Sequence, residues 1–92
     1  MKAVWDPAKA KANLIKHRVR LSDADVALSD SFALTREDET SDEEQRYITI
    51  GTDASGKVVV VAFSFRGEVV RLISSRKASK KERKQYEKGI RL

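Results

Sequence analysis

Hydrophobic and polar positions change period several times along this chain, and each change marks an element. Residues 1–5 are brief and place Ala3 and Trp5 on one side when extended, as an edge strand would. Asp6-Pro7 then opens a helix. The aspartate offers an acceptor to the free amides of a first turn, and proline suits the first helical position because its missing N–H had no partner there. The helix is expected over residues 7–17, with Ala8, Ala10, Ala12, Leu14 and Ile15 apolar. Lys9, Asn13 and Lys16 fall on one stripe of it, with His17 alongside. A second, short helix is expected from Ser22 as its N-cap to about residue 30, with Asp25 three positions on and Leu21 packing on Val26.

A period of two follows. Residues 31–35 read as a strand, and residues 37–44, with six acids and no base, as a polar loop. Residues 45–52 alternate, with Arg46, Ile48 and Ile50 on one face and Tyr47 and Thr49 on the other. Asp53-Ala54-Ser55-Gly56 forms a type I turn into residues 57–65, which are apolar on both faces as a central strand requires. Residues 66–68 turn the chain back. Residues 69–76 alternate Val70, Leu72 and Ser74 against Val69, Arg71 and Ile73. Ser79 and Glu82 then complete a capping box that starts a basic helix. The order β-α-α-β-β-β-β-α predicts an α+β fold over a single domain, residues 1–92. Its sheet is curved and mainly antiparallel, with two N-terminal helices on one face and the cationic groups on or beside the other.

Charge narrows the function. Residues 76–91 carry eight Lys or Arg against Glu82 and Glu87, a surplus larger than the net +5 of the whole chain. The remainder is therefore near neutral, and the concentrated cations call for a polyanion, with the phosphate backbone of a nucleic acid foremost. The absence of cysteine excludes disulfides and thiolate metal sites. No apolar run is long enough to span a membrane, and the N-terminus lacks a signal peptide's apolar core, so a cytoplasmic protein is expected. A glycine-rich phosphate loop, a nucleophile elbow and a calcium-loop spacing are all missing from the sequence.

What remains is a site without metal or cofactor, built from cations, one histidine and two tyrosines. That inventory suits RNA cleavage by internal transesterification. The ribose 2′-OH supplies the nucleophile, and the protein moves two protons and stabilises the phosphorane. Lys9 and His17 are the acid–base candidates, and Arg46 and Arg76 the charge stabilisers. Lys16, Arg71, Lys77 and Arg83 are candidates for holding RNA. Each has a plainer reading. His17 near a helix end complements the helix dipole. Lys9 and Lys16 could belong to a solvated face, Tyr86 to the core, and Trp5 to a packing anchor. At the level of function, the alternatives are a non-catalytic nucleic-acid-binding regulator and a protein-docking module.

Three blocks, in order, resemble the BrnT family of bacterial toxins. They are Trp5-Asp6-Pro7 with Lys9, Asn13, Lys16 and His17; Arg46-Tyr47-Ile48-Thr49-Ile50-Gly51; and the run from Ile73-Ser74-Ser75-Arg76-Lys77 to Tyr86-Glu87. The resemblance implies a RelE-like fold and a ribonuclease that arrests translation. It also implies a cognate BrnA antitoxin, with promoter DNA bound only through that antitoxin. It carries over Lys9, His17, Arg46, Arg76 and Lys77 as motif positions. The chain departs from the pattern at Ser75, where the family usually has alanine, and at Arg18, where it often has glycine.

Overall fold

A computed structural model describes residues 2–40 and 44–90 of the chain. Met1, residues 41–43 of the acidic stretch, and Arg91 and Leu92 at the end of the basic tail lie outside the described residues, as do the side chains of Lys2 and Ile90. The chain runs β1 (Lys2–Val4), α1 (Pro7–His17), α2 (Leu21–Ala24) with a 3₁₀ turn (Asp25–Ser29), β2 (Leu34–Asp38), β3 (Arg46–Thr52), β4 (Val58–Arg66), β5 (Val69–Lys77) and α3 (Lys80–Ile90). The five strands form one sheet in the order β1-β5-β4-β3-β2. β1 is parallel to β5 and the other neighbours are antiparallel, so the α+β expectation holds.

Both predicted helix starts at α1 and α3 are built as their chemistry dictates. Asp6 Oδ1 accepts the Ala8 amide at 2.8 Å, with Pro7 at the first helical position. Glu82 donates its amide to Ser79 Oγ at 3.1 Å, while Ser79 donates its amide to Glu82 Oε1 at 2.8 Å. α1 closes at Arg18, which takes a left-handed conformation (φ 57°) and donates its amide to the Leu14 carbonyl. Glycine adopts that geometry without steric cost, which accounts for its frequent use there in the resembling family.

The core lies between the N-terminal helices and one face of the sheet. Val19, Leu21, Ala24 and Ala27 meet Val59, Val61, Phe63, Val70 and Leu72, all buried. Burying each valine or leucine here contributes about 1.5–3 kcal/mol. The 3₁₀ turn approaches β3 so closely that a Cβ on Gly51 would lie 2.5 Å from the Ala27 carbonyl oxygen. On the opposite face α3 packs on β3 through Tyr86, which is buried. Its hydroxyl donates to Asp30 and lies 2.9 Å from Thr52 Oγ1.

Three local expectations give way to tertiary structure. β2 occupies Leu34–Asp38, three residues later than expected, because it pairs with β3 from Leu34↔Ile50 to Asp38↔Arg46. Two of the acids assigned to a loop, Glu37 and Asp38, therefore sit on an edge strand, where charge is well tolerated. α2 begins at Leu21 rather than after a Ser22 cap, and Arg20 at its N-cap makes no side-chain cap bond. Val26 is exposed and does not staple to the buried Leu21. Finally, Asn13 is not part of a solvated stripe. It is buried against β5, whereas Ile15, assigned to the apolar face, is 73% exposed.

Candidate active site

β1 ends at Val4, level with Arg71 on β5, and the chain turns away through Trp5 and Asp6 into α1. Beyond that point β5 has, among the described residues, no strand on its outer side. A notch of about 250 Å³ opens there, with Trp5, Asp6 and Lys9 on one wall and Arg71 and Ile73 on the other. Trp5 is half-buried against the core, so the sequence's packing-anchor reading of it holds.

Arg71 also faces across the sheet. Its Nη2 lies 3.8 Å from Glu44 Oε1, and the same carboxylate oxygen is 3.8 Å from Arg46 Nε. These separations are ion pairs but too long for hydrogen bonds. Arg46 Nε is buried without a hydrogen-bond partner. So is the hydroxyl of Ser64, which pairs with Arg71 in the β4–β5 ladder. Among the described residues, the result is a floor with two guanidinium groups, the Glu44 carboxylate near both, and the buried Ser64 hydroxyl, with Asp38 paired to Arg46 at its β2 side and Arg71 leading to the notch that holds Lys9.

The other end of β5 is organised differently. Arg76, opposite Val60, forms a two-pronged pair with Glu82, at 2.8 Å through Nη1 and 3.0 Å through Nη2. Hydrogen bonding from Arg76, opposed by burial and reinforced by the Ser79 amide and hydroxyl, holds the Glu82 carboxyl down at about 2. The same pair raises the Arg76 guanidinium above its ordinary value, against the opposing effect of burial. Arg76 is five positions along β5 from Arg71, about 16 Å of strand. Lys77, next along β5, and Arg83, one residue past Glu82 on α3, are exposed.

α1 runs along β5 in the same direction. Lys9 lines the notch next to Arg71. One helical turn on, Asn13 Nδ2 donates to the Ser75 and Val19 carbonyls, both at 2.9 Å, and its Oδ1 accepts the Ser75 amide at 3.1 Å. His17, a further turn on, falls at the Lys77 end, about 12 Å along the helix from Lys9. Lys16 is exposed nearby.

The structure thus sets Lys9 beside Arg71 at the notch, and Arg71 beside Arg46 through their shared Glu44. It places His17, Lys16, Arg76, Lys77 and Arg83 towards the other end of the strand. Glu44 and Ser64 are additions that sequence reasoning passed over. Glu44 was absorbed into an acidic stretch, although it lies two residues before Arg46, the spacing that puts two side chains on one side of extended backbone. Ser64 was hidden in an apolar strand. Tyr86, left open between core and site, is buried. Burial first, then its bond to Asp30, pushes its hydroxyl above the usual range.

The family model for "Ribonuclease toxin, BrnT, of type II toxin-antitoxin system" matches residues 5–82, from Trp5 on the notch to Glu82 in the capping box of α3. The chain belongs to the BrnT family. A crystal structure of the Brucella abortus ribonuclease toxin BrnT matches it at 29% sequence identity with a TM-score of 0.64, covering 87% of this chain and 99% of that one. No curated protein matches the chain. Membership makes this BrnT-family chain a ribonuclease toxin of a type II toxin–antitoxin system, and so one with an antitoxin partner. Among the described residues no helix is long and apolar enough to cross a membrane, and no three His, Asp or Glu side chains gather as metal ligands would.

Proposed function

We propose that this toxin, as one domain, is a metal-independent endoribonuclease that cleaves by 2′-OH attack. The supporting observation is that Arg71 stands between Lys9, with which it lines the notch, and Arg46, with which it shares Glu44. Three cations there offer the charge stabilisation that a metal ion would otherwise provide. Arg46, whose side chain is partly exposed, and Arg71 hold the scissile phosphate. Each such donor contributes roughly 3–4 kcal/mol to transition-state stabilisation. Lys9 gives its proton to the departing 5′-oxygen. Lys16, His17, Lys77 and Arg83 track the neighbouring RNA backbone, and Arg76 joins that track while anchoring α3. Cleavage in the cytoplasm inhibits translation. A BrnA-like antitoxin silences the toxin by covering the cationic surface, and promoter DNA is contacted only through it.

The test is purified protein with RNA in EDTA, beside a substrate carrying a single 2′-deoxynucleotide at the cleavage position. Cleavage of the first to 2′,3′-cyclic phosphate ends, with none of the second, is the expected result. Activity that needs added divalent metal, or that cuts the deoxy substrate equally well, overturns the mechanism. Binding that weakens steeply with salt and leaves the RNA whole would point instead to a non-catalytic regulator.

A further inference from the structure

The sheet face that carries Arg46 and Arg71 also carries an apolar groove. Between β2, β3 and α3 an opening of about 330 Å³ is lined by Leu34, Arg36, Ile48, Ile50, Gln85 and Lys88. Leu34 is 40% exposed, and Ile48 and Ile50 are partly exposed. The strand register ties this groove to the candidate site. Leu34 pairs with Ile50, Arg36 with Ile48, and Asp38 with Arg46. Side chains two apart share a face of the sheet, so the groove runs rung by rung into the Arg46 end of the floor.

The lining is aliphatic below and cationic at the rim. Arg36 stands on β2, while Gln85 and Lys88 fall on one stripe of α3 with the exposed Lys81, four residues before Gln85. Asp38, the acid of the next rung, accepts the amide and hydroxyl of Thr40. RNA bases are held by stacking on aromatic rings, and among the described residues this lining has none. A second copy of the chain would bring its own net +5 to a cationic rim. The acid-rich residues 37–44 of such a copy offer no apolar side chain to the floor. A protein segment with aliphatic side chains flanked by Asp or Glu satisfies both parts of the groove. Membership of a type II toxin–antitoxin family supplies a protein partner, the antitoxin.

We infer that the antitoxin docks here, laying an acid-flanked aliphatic segment in the groove and carrying its acids along β3 to Arg46. The inference rests on the reading above that the antitoxin silences the toxin by covering cationic surface. Grip and inhibition are then divided between neighbouring rungs. Leu34, Ile48 and Ile50 hold the segment, and its acids neutralise a guanidinium that RNA needs.

Calorimetric titration of the purified toxin with its purified cognate antitoxin tests this, using Leu34→Glu, Lys88→Glu and Ile15→Glu. Ile15 is 73% exposed on α1, across the sheet from the groove, and is the rival apolar handle. All three positions are exposed and stand apart from the cleavage residues, so each variant should melt near the native temperature and cleave RNA at the native rate. Leu34→Glu should bind antitoxin about 10²-fold more weakly, and Lys88→Glu about tenfold more weakly. Antitoxin at a concentration that silences the native toxin should leave both active. Ile15→Glu should bind as the native protein does. Native affinity in both Leu34→Glu and Lys88→Glu overturns the inference, as does a loss in Ile15→Glu as large as that in Leu34→Glu. Weaker RNA binding by Leu34→Glu with antitoxin affinity intact would give the groove to RNA. Self-association of the native toxin that Leu34→Glu abolishes would give it to a second copy, and either result sinks the proposal. A native complex that cleaves RNA as fast as free toxin removes the covering reading instead, while the affinities still decide who occupies the groove.

Discussion

Arg71 and Arg76 stand on the same strand, and both face a glutamate, yet they do different work. Arg76 is clasped by Glu82 through two short hydrogen bonds that tie β5 to the first turn of α3. Arg71 shares a more distant carboxylate with Arg46 and opens onto a notch. Residue type and partner type are the same at both positions. The difference lies in whether the donors are already used, because a guanidinium saturated by a protein carboxylate must break those bonds before it can bind phosphate.

The contrast is sharpest in activity. Arg71→Ala should lower cleavage by 10²- to 10³-fold with little change in the urea midpoint. Arg76→Ala should cost less than tenfold in rate while lowering stability by about 1 kcal/mol. Equal rate losses from the two would erase the distinction between the two ends of β5. Next in size is Asn13→Ala, which removes three buried hydrogen bonds between α1, Val19 and Ser75. A loss of about 3 kcal/mol in denaturant unfolding is expected, with the rate of the folded fraction unchanged.

Acid should act selectively on the Arg76 end. Glu82 is depressed from its ordinary 4.5 to about 2 in the folded protein. Its contribution to stability is complete above pH 4.5 and is lost as pH falls from there through about 2. Glu82→Gln should flatten the stability curve in that window, which thermal melts at stepped pH would detect. Smaller still, Ser75→Ala removes a buried hydroxyl with no partner and should stabilise by about 1 kcal/mol in urea titrations. Arg18→Gly should add about 0.5 kcal/mol by relieving the left-handed backbone, read from the same titrations.

The element order was legible because caps and periodicity are local. Asp6-Pro7 and the Ser79–Glu82 box each announce a helix within a few residues, and both form as read. β2 was misplaced because its position depends on its pairing with β3, which runs from Leu34↔Ile50 to Asp38↔Arg46 across the acidic stretch. Asn13 was misjudged for a related reason. Its polarity suggested water, but the backbone it satisfies is Ser75, 62 residues along the chain. The candidate site was half legible. Lys9, Arg46 and Arg71 could be named individually, but the notch that sets Lys9 beside Arg71 depends on β1 stopping at Val4, and Glu44 could not be singled out from its acidic neighbours. The separation of His17 from Lys9 follows from helix geometry, while the capture of Arg76 by Glu82 required the docked position of α3.

β1 is only three residues long, so among the described residues most of β5 has no strand along its outer margin. The Asn13 carboxamide stands in for one there, presenting an N–H and a C=O to the two backbone groups of Ser75 as a neighbouring peptide would. Within the margin that α1 lies along, this side chain therefore takes up the Ser75 groups that could otherwise recruit a second molecule in register. Variants at Asn13 should be lost from solution in proportion to their concentration, as self-associated material rather than as simple unfolded monomer.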